Sequence, residues 1–190
     1  MTNQQDTIYR DRVLKGDTNA FSYFVDTYQQ LAFTIAVRIV KNREEAEDIV
    51  QEAFIKCYHS LASFKGDAKF STWLYKIVYH STLDRVRKNA KQIPSEEIEK
   101  INYNLIDDVE DALDILEKKE REKIIGAAIE TLTNEEQTII TLYYYEDLSL
   151  KEIATIVGIS TGNVKIKLFR ARKQLFEILR CRIELVNKLQ

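Results

Sequence analysis

Residues 149–175, SLKEIATIVGISTGNVKIKLFRARKQL, decide the fold of this chain. Ser149 and Glu152, three residues apart, form a capping box, which is the signal of a helix start. Apolar residues then recur at helical spacing until Gly158, where a left-handed residue suits a helix terminus. A second helix start follows two residues later, with its own apolar stripe. Two short helices that cross at the small residue Ala154 predict a helix-turn-helix.

The outward side of the second helix is polar and basic. Its positions are Gly162, Asn163, Lys165, Ile166, Lys167, Phe169, Arg170 and Lys173. From Lys165 to Arg182 the chain has seven Lys or Arg residues and one acid, Glu177. A recognition helix presents polar side chains to the base edges of the major groove and cations to the phosphates. We therefore interpret this face as a surface for duplex DNA, in preference to a merely solvated basic face.

Charge is distributed unevenly along the 190 residues. Residues 92–120 hold ten acids and three bases, a net charge of −7, which leaves +5 for the rest of a chain whose total is −2. This stretch contains the only proline, Pro94, and has the composition of a flexible, self-repelling linker. We predict an all-α protein of two small helical domains, residues 1–91 and 120–190, joined by an acidic linker at 92–119.

Composition disfavours several classes of function. Cys57 and Cys181 lack metal-type spacing to each other or to a histidine, which indicates a reducing compartment. The longest apolar run, residues 31–40, contains Arg38 and is too short to span a bilayer. The N-terminus also lacks a signal-peptide core. We expect a cytoplasmic protein without a metal, a cofactor or catalytic residues.

Amphipathic segments predict the helices of the first domain. Residues 6–40 form two or three helices, while residues 43–62 and about 70–88 form one helix each. The helix at 43–62 has an outward acidic face that includes Asp48 and Glu52. Such a face provides solubility, a carboxylate metal site or a docking surface for a basic partner. A metal site would need side chains that converge inside a bundle, and these point outward.

Aromatic residues and cations alternate around the loop at residues 63–67 and along the helix after it. We expect Phe70 and Trp73 in the core, and Phe64 on the loop as the better candidate to stack on an unpaired base. The helix also carries a polar stripe that ends in a basic cluster: Lys76, His80, Asp84, Arg87 and Lys88. Rings interleaved with cations suit single-stranded DNA, because bases stack on rings and phosphates pair with cations.

Two blocks of the chain resemble bacterial sigma factors. Residues 44–88 resemble region 2 through AED at 46–48, VQEAF at 50–54, FKG at 64–66 and FSTWL at 70–74. Residues 132–175 resemble region 4 through EIA at 152–154, GIS at 158–160, VK at 164–165 and RAR at 170–172. The two blocks in this order, with only a short acidic link, are similar to the minimal extracytoplasmic-function (ECF) subgroup. The similarity covers nearly the whole chain.

The resemblance implies a role for each matching residue. Docking onto the clamp helices of the largest RNA polymerase subunit is implied for Asp48, Gln51, Glu52 and Ile55. Melting and reading of the promoter −10 element is implied for Phe64, Lys65, Gly66, Lys76, His80, Asp84, Arg87 and Lys88. Reading of the −35 duplex is implied for Thr161, Asn163, Lys165, Ile166, Phe169, Arg170 and Lys173. His80 and Ile166 stand where Asn and Ser are frequent in the family, which bears on the promoter sequence and not on the activity.

Two other functions compete with this interpretation. A stand-alone transcriptional regulator would bind duplex DNA without polymerase and would not need the face from Asp48 to Ile55. A metal-dependent hydrolase would use Glu44, Glu45, Asp48 and Glu52, whose outward direction disfavours it. The combined motifs favour a monomeric sigma factor that performs no covalent chemistry. Its expected partners are core polymerase, promoter DNA as duplex at −35 and single strand at −10, and an anti-sigma protein.

Overall fold

The computed structural model describes residues 4–90 and 118–187, and every regular element in those ranges is helical. An N-terminal group contains α1 Gln4–Leu14, α2 Ser22–Val40, α3 Arg43–Ser60 and α4 Phe70–Ala90. A C-terminal group contains α5 Lys118–Ile129, α6 Asn134–Tyr144, α7 Leu150–Val157 and α8 Thr161–Asn187. Short 3-10 turns occupy Thr18–Phe21 and Leu61–Ser63. The all-α prediction is confirmed, and the linker predicted at 92–119 lies almost wholly outside the described residues.

Helix α7 begins and ends at the residues that the sequence indicates, and α8 begins where the sequence indicates. The Ser149 N–H donates to Glu152 Oε2 at 2.9 Å, and the Glu152 N–H donates to Ser149 Oγ at 3.3 Å. Thr133 and Glu136 form a second capping box at the start of α6. Each such cap stabilises its helix by about 1 kcal/mol. Gly158 ends α7 with a φ of 81°, the left-handed conformation that glycine adopts without strain.

The core of the N-terminal group lies between α2, α3 and α4. Its fully buried large side chains are Phe24, Ile35, Ile49, Leu61, Phe70 and Leu74. Cys57 is also fully buried, as its place on the α3 stripe predicts. The short α1 is anchored by a buried carboxylate, because Tyr23 and Tyr28 donate their hydroxyl hydrogens to Asp6 Oδ1 at 3.1 and 2.8 Å. These two hydrogen bonds compensate for the solvation that the Asp6 carboxylate loses on burial.

The two helical groups pack directly against each other. Helix α7 lies against α4 and helix α6 against α2. Lys69 Nζ lies 2.8 Å from Glu152 Oε1, and Ile156, one turn further along α7 on the same side, is fully buried. At the α2–α6 contact the Arg38 guanidinium lies 5.7 Å from the centroid of the Tyr145 ring. The apolar core is therefore continuous from one group to the other. The sequence predicted only a linker between the groups, and this direct contact is an additional connection.

Helix α8 is much longer than the short helix expected. It extends for 27 residues, because no glycine or proline interrupts the sequence from residue 163 to residue 187. Even so, none of the helices within residues 4–90 and 118–187 is both long and apolar enough to cross a membrane.

Candidate nucleic-acid interfaces and docking face

The helix-turn-helix holds α8 by one side only. Val164, Leu168 and Ala171 are buried against the other helices of the C-terminal group. Ser160 caps α8, since its Oγ accepts the Asn163 N–H at 3.2 Å. The opposite side of the first turns of α8 therefore projects into solvent. We call the exposed residues among 161–170 the recognition face.

Six of the seven residues predicted to read the −35 duplex are exposed on this face: Thr161, Asn163, Lys165, Ile166, Phe169 and Arg170. The seventh residue, Lys173, does not lie exposed on this face as the sequence predicted, because only 8% of it is exposed. Its Nζ lies 3.8 Å from Glu177 Oε1. A lysine stem can lie along its own helix toward a carboxylate four residues on, instead of extending outward.

Other cations of α8 are engaged within the protein. Lys167 Nζ lies 2.6 Å from Glu135 Oε2 on α6. The Arg172 guanidinium lies 5.1 and 5.2 Å from the ring centroids of Tyr143 and Tyr144, within the range of a cation–π contact. The number of basic residues in the sequence therefore overstates the positive charge that α8 presents outward.

A second polar surface follows α4. The five predicted residues of its stripe are all exposed: Lys76, His80, Asp84, Arg87 and Lys88. Each of them lies three or four residues from another member of the stripe, so they share one side of the helix. Asp84 Oδ1 lies 3.5 Å from Arg87 Nη1, within an otherwise basic surface. The structure therefore brings these residues together as one continuous stripe.

His80 lies where this stripe meets the C-terminal group. A Cβ atom built on Gly158 would lie 3.7 Å from His80 Cε1, so the ring lies against the end of α7. Partial burial and the neighbouring charges of Lys76 and Arg87 lower the pKa of His80, and Asp84 only partly opposes them. The imidazole is therefore neutral at pH 7.

Phe64 does not occupy the position expected of a base-stacking residue. It is 8% exposed, and its ring centroid lies 5.6 Å from that of Phe70 and 5.1 Å from that of Trp73. Burial of an aromatic ring in this cluster is favoured by its large apolar area, which outweighs its place on a loop. Phe70 is buried as predicted, whereas Trp73 is partly exposed. Lys65 and Gly66, which follow Phe64 in the loop, are exposed.

The acidic face of α3 is exposed as predicted. Its members Asp48, Gln51, Glu52 and Ile55 all lie on the surface, and Ile55 is 52% exposed. Glu52 is not an isolated charge, because its Oε1 lies 2.8 Å from Arg85 Nη2 on α4. This ion pair connects the acidic face to the helix that carries the polar stripe.

Beside the acidic face lies an apolar groove that the sequence interpretation missed. It has a volume of about 920 Å³ and lies between α2 and α3. Its walls include Val25, Phe33, Phe54 and Ile55, and Gln51 lies at its border with the acidic face. The sequence places Val25 and Phe54 in the core and Ile55 on the outward face, and the structure brings side chains of both kinds together in one groove.

The carboxylates considered for a metal-dependent hydrolase do not converge. Glu45 accepts a hydrogen bond from Asn89 Nδ2 at 2.8 Å, and Glu52 is paired with Arg85. Within residues 4–90 and 118–187, no three His, Cys, Asp or Glu side chains are placed to hold one metal ion.

Comparison with known families agrees with the two-part organisation. A profile described as Sigma-70 region 2 matches residues 24–92, and one described as Sigma-70, region 4 matches residues 122–175. The first match contains α4 with its polar stripe, and the second contains the first turns of α8 with the recognition face.

Solved structures show the same fold. The sigma factor RpoE in complex with the anti-sigma factor NepR from Bartonella quintana matches with a TM-score of 0.63 and 21% identity, over 84% of this chain and 96% of that one. The structure of CnrH in complex with the cytosolic domain of CnrY matches with a TM-score of 0.64 and 22% identity, over 94% and 99%.

Sequence relatives span nearly the whole chain. The ECF RNA polymerase sigma factor SigW of Bacillus subtilis is 38% identical over 89% of this chain and 94% of its own length. The ECF RNA polymerase sigma-E factor of Escherichia coli strain K12 is 32% identical over 90% and 92%. The RNA polymerase sigma-H factor of Pseudomonas aeruginosa is 31% identical over 94% and 96%. With such coverage and two matching regions, this chain belongs to the ECF sigma factors of the sigma-70 family.

Proposed function

We propose that this chain is a promoter-specificity subunit that binds core RNA polymerase and performs no catalysis itself. In this proposal, the N-terminal domain, residues 1–91, opens and reads the −10 element. The C-terminal domain, residues 120–190, reads the −35 element as duplex. The observation that carries the proposal is that one chain exposes three separate surfaces at once: the acidic face of α3, the polar stripe of α4 and the recognition face of α8.

The docking partner of α3 is proposed to be the clamp helices of the largest polymerase subunit. An acidic rim beside an apolar groove complements a helix that has both basic and apolar side chains. Asp48 and Ile55 lie two helical turns apart on α3, so a helix laid across this face can contact both. Burial of Ile55 and of the groove supplies the apolar part of the binding energy.

The −10 strand is proposed to bind along α4, between its polar stripe and the exposed pair Lys65 and Gly66. Extrusion of a base from the duplex costs a few kcal/mol of stacking, which contacts in the protein must offset. Phe64 has a different part in this proposal from the one first expected. Phe64 anchors the loop at residues 63–67 to the core, and the partly exposed Trp73 is the aromatic side chain available for stacking on a DNA base.

The −35 duplex is proposed to receive the N-terminal turns of α8 in its major groove. Lys165 and Arg170 supply positive charge, and Thr161 and Asn163 supply hydrogen-bonding groups near the helix N-terminus. Neither domain alone is expected to bind promoters tightly, because a tether raises the effective concentration of the second domain to about the mM range. The protein is further proposed to be a cytoplasmic monomer that an anti-sigma protein holds inactive.

Transcription from purified components tests the proposal. Core polymerase, a matched promoter and the full chain should give a run-off transcript that core alone does not give. Asp48→Arg should abolish this transcript and binding to core, because it places a positive charge in the acidic face. The protein should otherwise keep its thermal stability, since Asp48 is exposed.

Glu130→Arg is the matched control. It makes the same charge change at an exposed position between α5 and α6, outside the three proposed surfaces and the groove, and it should retain transcription. Core binding by Asp48→Arg equal to that of the parent would refute the docking role. Sequence-specific binding of duplex DNA by the chain alone, without transcription from any selected promoter, would indicate a stand-alone regulator instead.

A further inference from the structure

Two large apolar side chains are exposed at the centre of the recognition face. Ile166 is 49% exposed and Phe169 is 41% exposed. They are three residues apart on α8 and therefore lie side by side on the same side of the helix. Isolated exposed apolar residues are ordinary on protein surfaces, but an adjacent pair on a surface that faces a ligand calls for an explanation.

The surroundings of this pair suit nucleic acid. The exposed cations Lys165 and Arg170 flank it on the helix. Gly162, one turn before Ile166, leaves the surface open: a Cβ atom there would meet no atom closer than Ser160 Oγ at 3.9 Å. The packing of the protein therefore does not require glycine at this position, whereas close approach to another molecule favours it.

The chemistry of the major groove identifies what an apolar pair can recognise there. Base edges in this groove present hydrogen-bond donors and acceptors, and the C5 methyl of thymine is their one apolar group. An isoleucine can make no hydrogen bond with its side chain, so it discriminates among bases by contact with that methyl.

We propose that Ile166 is a specificity-determining residue that selects a thymine in the −35 element through contact with its C5 methyl, and that Phe169 completes the apolar surface around it. This inference rests on the proposed function, in which α8 enters the major groove. Contact of the pair with another protein is the competing use. The flanking cations and the open surface at Gly162 favour DNA, because phosphates need positive charge and close approach.

Replacement of thymine by deoxyuridine isolates the methyl group. Holoenzyme, assembled from core polymerase and the full chain, first selects its −35 sequence from a randomised duplex library. Each thymine of the selected element is then replaced singly by deoxyuridine, and the dissociation constant is measured. At the thymine that Ile166 contacts, the replacement should weaken binding about fourfold, the affinity equivalent of one buried methyl group.

Ile166→Ala should bind the thymine and deoxyuridine duplexes equally, whereas Ile166→Val should keep part of the difference. Ile8→Ala is the matched control, because Ile8 has a similar exposure of 46% and lies on α1, away from the recognition face. It should keep the full fourfold difference. Thermal unfolding of each variant verifies that the fold is intact.

Two results would overturn the inference: no thymine responds to deoxyuridine, or the response is unchanged in Ile166→Ala. Both can occur while holoenzyme still selects a defined −35 sequence, so they leave the proposed function standing. Failure to select any sequence would instead count against the proposed function itself.

Discussion

Glu152 shows how one side chain can serve two structural purposes. It closes the capping box of α7 with Ser149, and it pairs with Lys69 across the contact between the two groups. Burial alone would raise the pKa of this carboxyl group, but hydrogen bonds from Lys69 and Ser149 outweigh it and lower the pKa from 4.5 to about 2. A group bonded in this way stabilises the folded state only while it is ionised.

The stability of the protein should therefore depend on pH through Glu152. Because its pKa is lower in the folded than in the unfolded state, its contribution is complete above about pH 4.5 and declines as the pH falls toward 2. Urea denaturation should show Glu152→Gln less stable than the parent at pH 7, with a smaller difference at pH 3. Glu47→Gln, which alters an exposed ion pair within α3, should show little difference at either pH. A constant Glu152→Gln deficit from pH 7 to 3 would contradict the assignment.

Substitution of Arg170 tests whether a single side chain of the recognition face reads a base. If its guanidinium reads a base, Arg170→Ala should cost about 1–3 kcal/mol of discrimination between the promoter and a duplex with a scrambled −35 element. Lys151→Ala removes an exposed cation from α7 and should leave discrimination unchanged. Holoenzyme binding to the two duplexes measures both. An equal loss on both duplexes would make Arg170 a phosphate contact.

The start and end of α7 could be predicted because they depend on near neighbours in sequence. Ser149 and Glu152 lie one turn apart, and Gly158 needs only its own φ to end α7. The positions of Phe64 and Lys173 could not be predicted in this way. Phe64 is buried by rings that α4 supplies, and Lys173 turns toward a carboxylate of its own helix. Both outcomes depend on packing and side-chain rotamers, which hydrophobic spacing does not encode.

The candidate surfaces also differ in whether the sequence could predict them. The α3 face, the α4 stripe and most of the recognition face follow from which side of each helix is polar. The groove beside Ile55 and the burial of Ile156 depend on how α2 packs against α3 and on how α7 packs against α4. These are distances between helices, and the pattern within a single helix does not determine them.

The turn between α7 and α8 gives a prediction about backbone conformation. Gly158→Ala should destabilise the protein by about 1 kcal/mol, because alanine is strained at a φ of 81°. The new methyl would lie 3.7 Å from His80, an ordinary contact, so crowding adds little. Gly162→Ala is the control, since that residue is helical and a Cβ atom there would meet no atom closer than 3.9 Å, so stability should be equal or higher. Urea denaturation compares the two, and equal destabilisation would contradict the argument from φ.

The contact between the two groups is incompatible with the proposed simultaneous reading of the −10 element by α4 and the −35 element by α8. Their names place the −10 and −35 elements about 25 base pairs apart, roughly 85 Å of straight duplex at about 3.4 Å per base pair. In the structure α4 and α7 touch, and Lys69 and Glu152 are in direct ionic contact. The α4–α7 contact must therefore break when the proposed complex with the promoter forms.

A cleavable cross-link tests this separation. Lys69→Cys/Glu152→Cys, made with Cys181→Ser and joined by a disulfide-containing bis-maleimide, should bind core polymerase but give no run-off transcript. Reduction of the linker should restore transcription. The buried Cys57 should not interfere, because burial raises the pKa of its thiol to about 12 and keeps it unreactive. Full transcription by the cross-linked protein would show that separation is unnecessary.

In the proposed function, the contact between α4 and α7 also limits transcription, because only molecules in which this contact is broken can engage both promoter elements. Each tenfold preference for the form with the contact intact then lowers the apparent promoter affinity about tenfold. Substitutions that loosen Lys69, Glu152 or Ile156 should raise basal transcription across all target genes together. The response of all target promoters would then be adjustable at a contact within the protein.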